Sequence, residues 1–261
     1  MTAPLVTLVQ GSSRGIGLQF CKALLLRKPN TVVIATCRSP EGAMDLEALR
    51  SQDPHRLHVL KIDVTQESHI EAAANYVGDK FGRLDLLINC SGMLHPSGRG
   101  ETSLKDVTMQ GLAETCATNA FGPLLMGKHF GKLLQKGTGA GHQSPDVKLQ
   151  HAGVLANISA KTGSITANDL GGWHSYRLAK AALNMATRNL AIELGRGKNR
   201  VICISLHPGN VDTQLSRPYH KNMKDLMSTE QCVDKLMNVM DGLNIEDSGK
   251  FYNYEKVLLP F

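Results

Sequence analysis

The chain has 261 residues, 42% of them hydrophobic and 20% charged, which suits one large domain with a real core and requires no second one. Its net charge of +6 is not gathered into long basic runs, so nothing prompts a nucleic-acid partner. No apolar run nears the ~20 residues of a membrane span. Six scattered cysteines without a Cys-x-x-Cys pair, and ten histidines without ligand spacing, point to free thiols in a reducing compartment rather than a disulfide frame or a metal site. The N-terminus lacks a basic region before its apolar run, unlike a signal peptide; the expected location is cytoplasmic.

Leu5-Val6-Thr7-Leu8-Val9 has the little-alternating apolar pattern of a buried parallel strand. It runs into Gln10-Gly11-Ser12-Ser13-Arg14-Gly15-Ile16-Gly17, and a helical pattern follows to about Arg27. Strand, glycine loop, helix is the context of a phosphate-binding turn. Glycines let the backbone approach an anion, and the helix start supplies N–H donors and the positive end of a dipole. The plainer reading is an ordinary strand-to-helix turn.

Thr31–Thr36 reads as a second buried strand, ending at Cys37-Arg38-Ser39. In a dinucleotide fold an acid here binds the ribose 2′-hydroxyl, whereas an arginine accommodates a 2′-phosphate. Arg38 stands here with no acid at 36, 37 or 39. With Arg14 on the other side, two guanidinium groups favour NADPH over NADH.

A third strand is expected over 57–64, a helix over 66–80, and a fourth strand over 84–92 with a polar, glycine-ended tip. Residues 93–109 read as a loop, and 110–135 as one long helix with Asn119 in mostly apolar company. Lys136 to Gln150 reads as an exposed connection. A fifth strand over 154–159 puts Ser159 at its tip. A sixth over 200–206 ends in the turn His207-Pro208-Gly209-Asn210-Val211-Asp212-Thr213. Residues 214–227 read as a loop, Ser228-Thr229-Glu230-Gln231 as a capping box opening a helix, and 249–254 as the last strand. Strands alternate with helices, and the chemically interesting residues fall at strand tips. That is an α/β, doubly wound parallel sheet with one ligand crevice.

The helix after the fifth strand carries Tyr176 and Lys180, four apart and so on one face. A free phenol titrates near ~10. An ammonium fixed beside it favours the phenolate, making Tyr176 a candidate to exchange a proton with a carbonyl or alcohol oxygen. Alone, this spacing arises easily by chance. Ala179, Ala182 and Ala186 allow close packing of this helix against a twin subunit; the plainer alternative is packing inside one subunit.

The order and spacing of GSSRGIG at 11–17, Asp63-Val64, Asn89-x-x-Gly92, Asn119, YRLAK at 176–180, and Pro208-Gly209 with Thr213 resemble the short-chain dehydrogenase/reductase family over nearly the whole chain. NISAKTGSI, GGWHSYRLAKAALN and LHPGNVDTQLSRPY look like its branch of C-factor-like and sniffer-type carbonyl reductases. The resemblance implies a Rossmann-type fold over 1–261, an NADP-dependent oxidoreductase acting on a small carbonyl or alcohol, and a homodimer or homotetramer. It implies that Gly11, Ser13, Arg14, Gly15, Ile16 and Gly17 hold the pyrophosphate and adenosine end of the cofactor, that Asp63 and Val64 flank the adenine, and that Asn89, Ser91 and Gly92 shape the sheet beneath the cofactor. Tyr176 would donate the proton, Lys180 would bind the nicotinamide ribose and tune the phenol, and Asn119 would hold the lysine through a water. Pro208, Gly209, Val211 and Thr213 would fix the nicotinamide. One departure stands out. Counting back three from Gly163, the family's serine position holds Ala160, and the serine is Ser159, one earlier. A shift of one flips the side chain to the other face. Either the backbone brings Ser159 back, or Ser164 fills in, or the site has no such serine. A non-catalytic NADP(H)-binding regulator on the same fold is the alternative function.

Overall fold

The computed structural model describes residues 3–139 and 146–261. Seven strands, β1 (Leu5–Gln10), β2 (Thr31–Cys37), β3 (Leu57–Lys61), β4 (Leu86–Asn89), β5 (Gly153–Ile158), β6 (Val201–His207) and β7 (Phe251–Asn253), form one sheet in the order β3-β2-β1-β4-β5-β6-β7. Every pairing is parallel. The order reverses between β1 and β4, the switch point at which open parallel sheets leave a crevice. The expected doubly wound α/β fold is the one observed.

Helices cover both faces, which explains why the strands read as continuous apolar runs. On one side lie α1 (Gly15–Arg27), α2 (Met44–Gln52) and α7 (Thr229–Asp241), packing Phe20, Leu24, Leu46 and Leu236 onto Val9, Val33 and Ile204. On the other lie α3 (Glu67–Phe81), α5 (Gly122–Leu134) and α6 (His174–Leu194), packing Val77, Phe130 and Leu190 onto Leu8, Ile34 and Cys203. Side chains this completely buried each contribute roughly 1.5–3 kcal/mol relative to exposure. The register aligns Thr36, Gln10, Asn89, Asn157 and Ser205 in one row across the sheet. The apolar runs thus give way to polar side chains together, just before the strands open into the crevice.

The structure departs from the sequence reading in four places. The segment 110–135 is three pieces: α4 (Met109–Cys116), a π-helical turn (Ala117–Phe121) and α5. The helix α2 has no counterpart in that reading, because Leu46 is its single buried residue and leaves no apolar stripe. Part of the expected exposed connection is pinned: the Thr138 amide and hydroxyl donate to Asp85 Oδ1 at 2.6 and 2.8 Å, and the Gly139 amide to the Ala152 carbonyl at 2.6 Å. Residues 140–145 of that stretch, and Met1 and Thr2 of the N-terminus, lie outside the described residues. Finally, of the three alanines of α6, Ala179 and Ala186 are buried within the chain's own fold and Ala182 is half-buried, so Ala179 and Ala186 pack inside the chain. The capping box at α7 forms as expected, with the Gln231 amide donating to Ser228 Oγ and the Ser228 amide to Gln231 Oε1.

Candidate active site

The glycine turn joins β1 to α1 at the switch point. A Cβ on Gly17 would stand 2.1 Å from the Gly11 carbonyl oxygen, and one on Gly11 would stand 2.7 Å from the Ser91 amide. Gly11 also has φ +85°, a left-handed conformation that favours glycine. The turn is therefore a tight cradle beside the tip of β4. The N-cap residue Arg14 gives α1 no side-chain cap and no acid lies in its first turn, which leaves the helix start suited to an anion among the described residues. Ser13, Gly15 and Ile16 are half-buried along the turn, and Arg14 is exposed beside them. Arg38 is also exposed, at the end of β2. Neither arginine side chain forms an ion pair or hydrogen bond among the described residues, and a bound phosphate group would find both guanidinium groups uncommitted. Arg38 is felt electrostatically by Asp63. Burial works against the Asp63 charge, but the Thr65 hydroxyl and amide together with Arg38 outweigh it and hold the carboxyl below its usual range. Val64 is buried and touches the position where Gly122 starts α5.

The tip of β4 forms the floor. Asn89 Nδ2 donates to Asn157 Oδ1 at 2.8 Å. The Ser91 amide donates to Gln10 Oε1 at 3.1 Å, and Ser91 Oγ accepts from Gln10 Nε2. Beside exposed Gly92, Asn119 exchanges two hydrogen bonds with the backbone of Met93: it accepts from the amide at 2.9 Å and donates to the carbonyl at 2.7 Å. Asn119 lies within the π turn. Pro123 has no N–H to give the Asn119 carbonyl four residues back and crowds it sterically, so the helix widens at that point. Such turns recur at functional sites. On the far side, the turn after β6 folds back. Val211 bridges to Met227, the Thr213 amide donates to Ser216 Oγ at 3.1 Å, and Thr213 Cγ2 lies 3.7 Å from where a Gly15 Cβ would be. Pro208 accepts from Cys232 Sγ at 3.5 Å, and Gly209, with φ +79°, leaves no room for a Cβ against Tyr254 and Met227. These residues thus lie at the ends of β1, β2, β3, β4 and β6 and in the turns that follow those strands.

Tyr176 and Lys180 are both buried on α6, with Lys180 Nζ 5.7 Å from the centre of the Tyr176 ring. The ammonium donates to the Ile158 carbonyl at 2.7 Å, not to the phenol. Burial dominates both groups: it pushes the Tyr176 phenol well up and lowers Lys180 to about 8. Burial alone accounts for the raised phenol, and the lysine directs its charge at the strand carbonyl.

Ser159 is turned away from the phenol. Its hydroxyl donates to Asn184 Oδ1 at 2.7 Å, two turns along α6 from Tyr176. The residue that packs with Tyr176 and Leu94 is Ala160, while Gly163 presses on Lys180, where a Cβ would stand 2.6 Å from the lysine Cβ. Counting back from Gly163 therefore locates the position facing the tyrosine, and a methyl group occupies it. Ser164 is occupied by the Ala167 amide at 3.0 Å.

Several site residues escaped the sequence reading. Trp173, Leu215 and Tyr219 pack against the Leu94–Ala160–Tyr176 cluster; the Trp173 ring centre lies 6.1 Å from that of Tyr176 and 4.8 Å from that of Tyr219. Trp173, three residues before Tyr176, was open to notice. Glu101, buried in an otherwise polar loop, gives no signal in sequence. Among the described residues no cluster of His, Cys, Asp and Glu could hold a metal, and no helix is long and apolar enough to cross a membrane. All six cysteines are free.

Comparison with known proteins agrees with this geometry. The carbonyl reductase from chicken fatty liver, solved with NADPH bound, is 32% identical and superposes with a TM-score of 0.85 over 100% of both chains. Carbonyl reductase Sniffer of D. melanogaster is 28% identical with the same TM-score of 0.85, again over 100% of both chains. C-signal of Myxococcus xanthus is 32% identical over 69% of this chain and 94% of its own length. The profile of the family described as short chain dehydrogenase matches residues 5–224, and the chain belongs to the short-chain dehydrogenase/reductase family.

Proposed function

We propose that the chain is an NADPH-dependent reductase of a small or medium aldehyde or ketone, with residues 1–261 acting as one cofactor-binding unit. The observation that carries this reading is the burial of Tyr176 beside Lys180, across the crevice from a cradle too tight for side chains at Gly11 and Gly17. The chicken relative at 32% identity was solved with NADPH, and the cradle fits the same class of cofactor. Gly11, Ser13, Arg14, Gly15, Ile16 and Gly17 would hold the pyrophosphate on the uncapped start of α1. Arg14 and Arg38 would grip the 2′-phosphate, and Asp63 and Val64 would flank the adenine. Asn89, Ser91 and Gly92 would form the floor, and Pro208, Gly209, Val211 and Thr213 the far wall. Bound NADPH would supply the hydride.

Tyr176 gives its proton to the carbonyl oxygen as that oxygen gains charge. Burial keeps the phenol protonated until then. Lys180, charged below about pH 8, lies close enough to stabilise the phenolate left behind. Asn119 holds the wide turn of helix against Met93. With Ala160 in place of a hydroxyl, one donor to the developing oxyanion is missing, and Tyr176 carries that task alone. Free thiols fit a cytoplasmic protein, and two copies would pair through α6.

The test is NADPH oxidation against a panel of aldehydes and ketones, with Tyr176→Phe as control. The variant should lose about 10²–10⁴ in kcat and bind NADPH as the native chain does. The methyl of Ala160 against the phenol favours one second reading, a regulator that binds NADP(H) without turnover. A native chain that binds NADPH tightly and reduces nothing would establish it.

A further inference from the structure

The helix that carries Tyr176 starts in an unusual way. Its N-cap residue, Trp173, has φ 49°, in the left-handed region, and offers no side-chain cap. The first turn of a helix has amides without partners inside the helix. Here the partner comes from 74 residues away. Glu101 Oε1 accepts from the Ser175 amide at 3.1 Å and also from the Ser175 hydroxyl, and the Glu101 carbonyl accepts from the Trp173 amide at 2.6 Å. Glu101 is 4% exposed, and its second carboxylate oxygen is buried without a partner. A charged group is not left in such a place without compensating contacts. Burial opposes its ionisation, but the Ser175 hydroxyl, the backbone amides of Glu101 and Ser175, and the nearby His95 keep the carboxyl below its usual range, so it is charged at neutral pH.

The same short loop also fixes the pocket wall. The Gly100 amide donates to the Tyr219 hydroxyl at 2.9 Å. A Cβ on Gly100 would stand 2.6 Å from the Trp173 ring, so this backbone lies flat against the indole. Tyr219 in turn packs on Trp173 at 4.8 Å. The loop at Gly100 and Glu101 therefore ties the start of α6 to the short helical turn Arg217–Asn222, and its grip on α6 is at Ser175, one residue before the phenol.

We propose that Glu101 is a positioning residue for Tyr176: its buried carboxylate caps α6 from the loop after β4 and locks the phenol to the Trp173–Tyr219 wall as one rigid unit. This rests on the reductase reading above for its catalytic consequence, and the tests are chosen to separate the two. Proton transfer demands placement to a fraction of an ångström, and a small displacement of the acid is costly. Glu101→Ala is expected to lower kcat about tenfold or more, with NADPH affinity held within about twofold. Glu101→Gln should recover most of kcat, because its amide oxygen accepts from Ser175 as the carboxylate does. Trp173 is the only tryptophan of the chain, so quenching of its fluorescence by acrylamide reports the lock without any turnover. Quenching should increase in Glu101→Ala and stay near native in Glu101→Gln.

A Glu101→Ala chain with native kcat and native quenching overturns the proposal. So does a parallel loss of kcat and NADPH affinity that Glu101→Gln fails to reverse, which marks general loosening of the fold. If the native chain reduces no carbonyl compound, the reductase reading fails, while the quenching comparison still decides whether the carboxylate holds the helix start. Should Glu101→Ala not fold, Ser175→Ala removes one donor only and carries the same two readouts, with an expected loss in kcat of about threefold or more.

Discussion

Tyr176 holds a proton that burial makes hard to remove, and Lys180 holds one that burial makes easy to lose. The pair therefore sets a pH window. The Lys180 charge is present below about 8 and lost above it, and the rate of carbonyl reduction at saturating NADPH should fall on that alkaline limb. Lys180→Arg keeps its charge throughout and should flatten the limb, whatever it does to the plateau. Stability has the opposite sign. The folded value lies below the unfolded one, so between about pH 8 and the ordinary lysine value the unfolded chain binds a proton that the folded chain lacks. This group's contribution to stability thus rises with pH through that window. A thermal melt and a rate profile moving in opposite directions would identify Lys180 as the source. Ala160 makes the second test at this scale. A hydroxyl placed there would face the phenol, and Ala160→Ser is expected to raise kcat several-fold to about tenfold by adding an oxyanion donor, with NADPH affinity unchanged. A lower kcat in Ala160→Ser would mean that the methyl is needed for packing against Leu94 and Tyr176.

Elements were legible in sequence to the extent that they bury a stripe. The strands of the sheet and the capping box at Ser228 read directly, because few local structures besides these place apolar runs between turns or a hydrogen-bonding pair three residues apart. The helix α2, with Leu46 alone buried, had no stripe to read. The π turn was hidden for a different reason: inserting one residue per turn over Ala117–Phe121 leaves the apolar spacing on either side intact. The mark it does leave is Pro123, four residues after Asn119, at which a helix cannot remain regular. The side chain of Ser159 was ambiguous in sequence because strand register decides its face. The glycine pressed on Lys180 resolves it, and Gly163 was visible all along. Arg14 and Arg38 stand at the loop ends of β1 and β2. Arg38→Ala should weaken NADPH binding about tenfold or more while leaving NADH binding unchanged, since only the former carries the group that two guanidinium groups would hold. Paired titrations of the two cofactors measure it, and an equal loss for both would remove Arg38 from the phosphate site.

At the scale of the molecule, the sheet order and the crevice follow from the alternation of strands and helices, whereas the outer surface of α6 could not be read that way. Small residues on this helix suggested close packing with a second copy, yet Ala179 and Ala186 serve the chain's own core. The outward stripe is made of large residues instead. Leu178, Met185 and Ile192 recur every seven positions and are 57%, 63% and 47% exposed, and Phe121 and Leu124 stand out from the neighbouring π turn and α5. A seven-residue repeat keeps side chains on one helix face, and apolar stripes of this kind mark association surfaces more often than monomer surfaces. A two-fold pair would set this face against itself, residue for residue. Each large side chain removed from water there contributes roughly 1.5–3 kcal/mol, so one charge in the middle of the stripe should outweigh what its neighbours supply. Light scattering behind size exclusion should give a dimer or tetramer for the native chain and a smaller species for Met185→Lys, with both binding NADPH, because α6 presents Tyr176 and Lys180 inward. A native chain that elutes as a monomer at tens of micromolar would leave the stripe without a twin and overturn the pairing through α6.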